Sequence, residues 1–364
     1  MSAIAFSSIE ERTLGVTDAG RLWRIVGMAM LPTRFIQGFI YWGGGSRRFI
    51  YAPSKLDPTA PTWMANKFQT AMPGALFGMD HVISFMLTHF YILYAGVILF
   101  SAAELIFGAM LMAGLLTRLA ALATMGMSVV LMAMFGWQGA TCIDEWTMAA
   151  CNLAMGATIL MAGGSAYSLD NVLLRRNPSL ARRPWFRWIS GSLPLPDTGF
   201  GGFRNLALAI FAFVAVYNVG TYSYYRGSVF TPFHNGPVSP TVHHLSLTQA
   251  VVLSDGGVRF HVYLDAGTPE APVHVIAADL LGGDGHVVAH WDAAALTKLA
   301  KSAFANDYDY NKFSPGPFGF RAPMGAAATV TLPSPGEGAA KDAKIIRLTD
   351  VDGRTSSADV QPAQ

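Results

Sequence analysis

Hydrophobic and polar positions divide the chain near Tyr225, with long apolar runs before it and short alternating stretches after it. The longest run, Val82 to Leu116, carries no charge except Glu104. It exceeds the roughly 20 apolar residues that a bilayer requires, so it predicts a membrane span with length to spare. Four further runs predict spans at Leu22 to Trp42, Leu119 to Trp137, Trp146 to Gly163 and Asn205 to Tyr225. The first holds Arg24, Pro32 and Arg34 and ends in an interfacial belt of Phe39, Tyr41 and Trp42. The expectation is a membrane all-α bundle of five transmembrane helices.

Beyond Tyr225 the period shortens to that of strands. Strand-like stretches occur at His244 to Leu253, Val258 to Leu264, Val273 to Leu281, His286 to Trp291, Ala327 to Leu332 and Lys344 to Leu348. Turn chemistry separates them, as at Ser254-Asp255-Gly256-Gly257 and Gly282-Gly283-Asp284-Gly285. This spacing predicts a small all-β, sandwich-like soluble domain with one short helix near Ala293 to Ala303. The expected organisation is a helical membrane domain over 1–175, a basic loop and fifth helix over 176–225, a β domain over 226–355 and a disordered tail over 356–364.

Composition agrees with membrane embedding: 52% of residues are hydrophobic, 13% are charged and the mean hydropathy is positive. The net charge of +2 is uninformative, but its distribution is not. Arg12, Arg21, Arg24, Arg118 and the cluster Arg175, Arg176, Arg182, Arg183, Arg187 and Arg204 fall on one side of the five spans. The positive-inside rule then predicts an integral inner-membrane protein with a cytoplasmic N-terminus and a periplasmic C-terminal domain. The first apolar segment lacks a small-residue cleavage site, so no cleavable signal is expected. Nothing in the charge pattern points to nucleic acid.

The loop from Gly43 to His81 opposes that rule, since it would lie outside yet holds Arg47, Arg48, Lys55 and Lys67 against Asp57 and Asp80. Two readings fit it. One is a solvated loop touching lipid phosphates. The other is an anion site, in which the guanidinium forks follow Gly43-Gly44-Gly45, where backbone amides can approach a ligand closely.

Depth counting assigns Glu104 a partner. Arg34 and Glu104 each lie twelve residues from the inner ends of their predicted helices, roughly 18 Å at 1.5 Å per residue. A buried Arg34–Glu104 ion pair is therefore expected, either fixing helix packing or handling protons. Arg118 reads as a snorkelling helix-end residue.

Cys142 lies in a turn and Cys151 inside the next helix, nine residues on. If both were helical they would be about 13 Å apart, beyond the roughly 7 Å between Cα atoms that a disulfide tolerates. Only a turn folding back could join them. Cys151 is either a small packing residue or a redox thiol tuned by Asp144, Glu145 and Asn152. Haem-attachment, iron–sulfur and Gly-x-Gly-x-x-Gly signatures are missing, so no bound cofactor is identifiable. Seven of the nine histidines follow Tyr225, and scattered strand histidines fit a metal site less well than solvent-facing or core positions.

Arg34-Phe35-Ile36-Gln37-Gly38, Gly43-Gly44-Gly45-Ser46-Arg47-Arg48-Phe49, Ala103-Glu104-Leu105 and Gly114-Leu115-Leu116-Thr117-Arg118 resemble the DoxD membrane subunit of thiosulfate:quinone oxidoreductase. Tyr263-Leu264-Asp265-Ala266-Gly267-Thr268-Pro269, Pro272-Val273-His274-Val275-Ile276 and Gly316-Pro317-Phe318-Gly319-Phe320-Arg321-Ala322-Pro323 resemble its DoxA partner. The chain therefore looks like a DoxD and DoxA fusion, with the four-helix core of the wider DoxX-like superfamily.

The resemblance implies oxidation of thiosulfate to tetrathionate, with membrane quinone as the electron acceptor. For such a reaction the candidate residues read from the sequence are Cys142, Cys151 and Glu104 as catalytic, Arg47, Arg48, Lys55 and Arg321 as substrate-binding, and Arg34, His89 and Tyr94 as quinone-side groups. Phe318, Phe320 and Arg321 would reach the membrane domain from a lid, or the β domain would dock another protein. Partners beyond the lipid bilayer would be a homo-oligomer or a terminal oxidase. The competing expectation is a non-catalytic DoxX-like scaffold or assembly factor displaying the β domain.

Overall fold

The structure, a computed structural model, describes residues 18–51, 53–138, 145–165, 167–193, 195, 200–226, 242–334 and 342–361. Arg12, Cys142, Asp144 and 362–364 lie outside the described residues. The chain forms two compact units that cut across the expected domain boundary. The first takes the described residues of 1–57, 94–132 and 145–223, and the second those of 58–93, 133–144 and 224–364.

Helices α1 (Asp18–Ala29) and α2 (Leu31–Ser46) replace the single first span, because Pro32 opens a new helix in its first turn. After α2 comes a five-residue π turn, Arg47–Tyr51. In the second unit, α3 (Met64–Ala71) precedes α4 (Met79–Thr88). The long run from Val82 breaks at His89, whose backbone leaves helical geometry, and α5 (Phe90–Ala113) begins one residue later. The surplus length of that run is thus α4. Next come α6 (Thr117–Phe135), α7 (Glu145–Ala162), the short α8 (Leu169–Arg176) and α9 (Pro184–Ile189), and α10 (Phe200–Arg226).

Among the described residues, three helices are long and apolar enough to cross a membrane: α5, α6 and, over Gly202–Tyr225, α10. Only 6% of the apolar window of α10 is buried within the protein, as expected of a lipid-facing helix. Glycines let α2 and α5 approach closely. A Cβ on Gly108 would sit 2.3 Å from the Trp42 amide nitrogen, and one on Gly45 would sit 2.6 Å from the Ser101 carbonyl oxygen. Gly45 is therefore a helical packing residue, and Gly43, Gly44 and Gly45 all lie within α2, where their amides are not arranged as a loop cradle for a ligand. Met125 and Met132 on α6 pack with Ala149, Leu153 and Ala157 on α7, against Ile210, Val214 and Tyr217 of α10.

The C-terminal part is a barrel-like sheet. Its strands are β1 (His244–Val252), β2 (Val258–Ala266), β3 (Val273–Gly282), β4 (Val287–Trp291), β5 (Phe304–Asn306), β6 (Ser314–Gly316), β7 (Gly319–Ala322), β8 (Ala327–Leu332), β9 (Ala343–Asp350) and β10 (Thr355–Gln361), with helix α11 at Ala293–Thr297. The order is β5-β8-β2-β1-β10-β9-β3-β7-β6, with β4 also on β3. A two-sheet sandwich would break this continuous path, so the expected sandwich is corrected to one ten-stranded sheet. β2 shows the alternation that gave it away, with Val258, Phe260, Val262 and Leu264 fully buried.

The expected tail is also corrected. Thr355–Gln361 is β10, antiparallel to β9 and parallel to β1. Its polar sequence pairs through the backbone, and the turn before it is fixed by Asp350 Oδ1, which accepts from the Asp352 and Arg354 amides, each at 2.9 Å.

Candidate functional site

Glu104 is 5% exposed and pairs with Arg48, not Arg34. Arg48 Nη1 also reaches Ser101 Oγ at 3.4 Å, and Lys55 lies within electrostatic reach of the carboxylate. Gly44 lies opposite it, where a Cβ would sit 3.3 Å from Glu104 Oε2. The depth count from Leu22 fails because Pro32 starts a separate helix and puts Arg34 in its first turn. Glu104 is ten residues, about 15 Å, from the Gly114 end of its helix, so it meets the far end of α2 instead.

Arg34 is instead spent on backbone. Its guanidinium donates to the carbonyls of Gly164 at 2.9 Å and Tyr167 at 2.7 Å. Arg118 is 1% exposed and does not snorkel: it donates to the carbonyls of Leu160, Arg187, Ser190 and Leu193 at 2.7–3.0 Å. Both cations lie within electrostatic reach of Asp170, which is fully buried. Asp170 accepts from the amides of Leu116, Thr117 and Gly191 and from Thr117 Oγ1. This knot ties the α5–α6 turn, where Leu116 holds φ +43°, to the segment after α7. Only the Ser168-Leu169-Asp170 helix start signals it in sequence, and that signal says nothing of its partners.

A buried polar track crosses the first unit. Tyr41 donates to the Thr124 carbonyl at 2.9 Å and lies 2.6 Å from Ser128 Oγ. Gln37 Nε2 donates to Thr124 Oγ1 and to the Asn152 carbonyl, both at 3.1 Å. Tyr41 lies within electrostatic reach of Glu104. The hydrogen-bonded track therefore joins α2, α6 and α7.

The other expected site residues scatter. Arg47 is exposed and Lys55 half-buried in the turns after α2. Cys151 is a free, exposed thiol on α7, while its neighbour Asn152 points inward at 2% exposure, so Asn152 does not tune the thiol. Tyr94 is partly exposed on α5. His89 closes α4, with Nδ1 2.8 Å from the Phe85 carbonyl oxygen and its ring tilted against that of Phe85. Arg321 is exposed on β7. Phe320 is fully buried among Phe304 and Phe313, so it anchors the β core rather than a lid, whereas Phe318 is exposed at the tip of the β6–β7 hairpin.

Histidines of the β domain pair with carboxylates: His244 with Asp265, His261 with Asp307, His286 with Asp284 and His290 with Asp279. Strand register explains the last, because β3 places Asp279 between His290 on β4 and Arg347 on β9. Burial opposes its ionisation, but hydrogen bonds and charge from His290 and Arg347 outweigh this and hold the Asp279 carboxyl below the usual range. Among the described residues, no group of three or more His, Cys, Asp or Glu is placed to hold a metal ion. A cavity of about 140 Å³ beside β1 and β10 is walled by His243, His244, Asp350 and Arg354.

No solved structure matches the chain. Residues 29–195 match the family described as TQO small subunit DoxD, and residues 225–359 match the family described as TQO small subunit DoxA, TQO being thiosulfate:quinone oxidoreductase. With both matches consecutive in one polypeptide that carries membrane-length apolar helices, the chain belongs to both families and is a fusion of a DoxD-type and a DoxA-type subunit.

Proposed function

We propose that this fusion oxidises thiosulfate and reduces a membrane quinone. Two thiosulfate dianions join through a new S–S bond to give one tetrathionate dianion. The two electrons released, with two protons, convert one quinone to its quinol. The observation that carries this reading is the presence of both subunit types in one chain.

The cationic turns after α2 supply the anion chemistry. Arg47, Arg48 and Lys55 stand there against Glu104 and Asp57, a local positive excess near the end of a glycine-rich helix. Bringing two dianions together requires fixed positive charge to screen their repulsion. Arg48, held by Glu104, keeps its guanidinium in place, while exposed Arg47 and half-buried Lys55 meet the anion. Glu104 and the Tyr41 track serve proton movement, and the quinone meets the exposed Tyr94 face of α5, with His89 in the preceding turn as a second proton donor. Arg34 is withdrawn from that role by its carbonyl bonds.

The S–S coupling is assigned to the cysteines. The quinone takes two electrons and two protons from the Cys142 and Cys151 thiols to form a disulfide; one thiosulfate opens it to a Cys–S–S–SO3− adduct and a thiolate, and a second thiosulfate attacks the sulfane sulfur of the adduct, so that the other cysteine leaves as thiolate and tetrathionate is released. Full turnover in a Cys142→Ser/Cys151→Ser variant would eliminate this route. Five crossings by α2, α5, α6, α7 and α10, from a cytoplasmic N-terminus, carry the β domain to the periplasmic face. The arginine-rich segment 175–187 then faces the cytoplasm.

Thiosulfate binding is tested by an Arg47→Ala/Lys55→Ala variant, for which a KM for thiosulfate raised at least about tenfold is expected. An unchanged KM contradicts the site. A second reading, a non-catalytic scaffold, is favoured by one observation: Glu104 neutralises Arg48, leaving less cation for substrate.

A further inference from the structure

The α5–α6 turn ends two membrane-length apolar helices, and the segment after α7 is tied to it. The Asp170 amide donates to the Gly114 carbonyl at 3.0 Å, and the Asp170 carboxylate accepts from the Leu116 and Thr117 amides at 2.7 and 3.0 Å. Arg118, in the first turn of α6, holds the carbonyls of Arg187 at 2.9 Å and Ser190 at 2.7 Å. Phe186 is buried beneath α9, and the 3₁₀ turn Pro178–Arg182 packs against both α8 and α9. Both short helices are therefore fixed at the boundary where α5 and α6 leave the apolar phase.

Their outer surface mixes two chemistries. Leu169, Val172 and Leu173 follow helical spacing along α8 yet stay exposed, and Trp185 and Trp188, three residues apart on α9, are 53% and 52% exposed. Among them stand Arg175, Arg176, Arg182 and Arg183, all exposed, and half-buried Arg187. The carboxylate of this segment, Asp170, is fully buried in the knot and leaves that charge unopposed at the surface. Among the described residues, none of these five arginines forms an ion pair.

An acidic protein would match the arginines but leave the indoles and leucines in water. The edge of a bilayer matches both, because acyl chains cover the apolar side chains, indoles settle at headgroup depth and guanidinium forks take phosphate oxygens. We propose that α8 and α9 bind the phosphodiester headgroup of an anionic phospholipid, with Arg175, Arg176, Arg182 and Arg183 on the phosphate and Trp185 and Trp188 at the level of the glycerol. The site depends on the membrane placement of α5 and α6, not on the sulfur chemistry.

The test uses the full-length chain in a nonionic detergent, titrated with fluorescently labelled phosphatidylglycerol or phosphatidylcholine, with inorganic phosphate as competitor. The expected result is a Kd for phosphatidylglycerol at least about tenfold below that for phosphatidylcholine, undisturbed by phosphate. Arg175→Gln/Arg176→Gln and Arg182→Gln/Arg183→Gln, both at exposed positions, should each cut that preference at least about threefold. Equal affinity for the two lipids in the unsubstituted protein overturns the proposal whatever the variants do. Displacement of the lipid by inorganic phosphate overturns it by revealing a free-anion site. A preference retained in both variants overturns the assignment to these arginines.

Discussion

Arg48 and Glu104, 56 positions apart in sequence, form an ion pair with side-chain exposures of 15% and 7%. Such a pair is costly to break from one side, because the remaining charge stays buried without compensation. Arg48→Ala should therefore destabilise the protein by about 3–5 kcal/mol. Replacing both partners, as Arg48→Met/Glu104→Gln, should recover most of that loss. Thermal unfolding in detergent checks this, and strictly additive effects of the two single substitutions would contradict a coupled pair.

Glycine packing makes a second prediction with an internal control. Gly108→Ala would drive a Cβ onto the Trp42 backbone and should cost about 1–3 kcal/mol. Gly43→Ala meets nothing within 4 Å and should be neutral or stabilise by up to about 1 kcal/mol through helix propensity. If the two variants unfold at the same temperature, the close approach of α2 and α5 is wrong.

The β domain should weaken in acid through Asp279. Its carboxyl titrates below the ordinary value in the folded state, so its contribution is fully present above the unfolded value of about 4 and is lost as pH falls through the lower folded value. Asp279→Asn should lower stability at neutral pH and flatten its decline below about pH 4. Denaturant titrations at pH 7, 5 and 3.5 measure this; parallel pH profiles for the two proteins would refute it.

Much of the architecture was legible because burial imposes period. The six expected strands all occur, since each carries apolar residues that face the core. β10 escaped because its sequence, Thr-Ser-Ser-Ala-Asp-Val-Gln, has one buried position and is held by backbone pairing. Arg34 was mispaired because a proline divided an apolar run that reads as continuous. Counting from Pro32 instead would put Glu104 level with about Trp42, nearer to Arg47 and Arg48 than to Arg34. Asp170 was illegible for a deeper reason: three of its donors are backbone amides brought in from distant segments, which no local pattern encodes.

The function itself is tested most directly by adding thiosulfate and a decyl-chain quinone to the purified, folded fusion and following quinol and tetrathionate together. The expected result is quinone reduction that depends on thiosulfate, with one tetrathionate formed per quinol. Failure to reduce quinone in a preparation that retains the cooperative unfolding of the intact protein would contradict the oxidoreductase and leave the scaffold reading in its place.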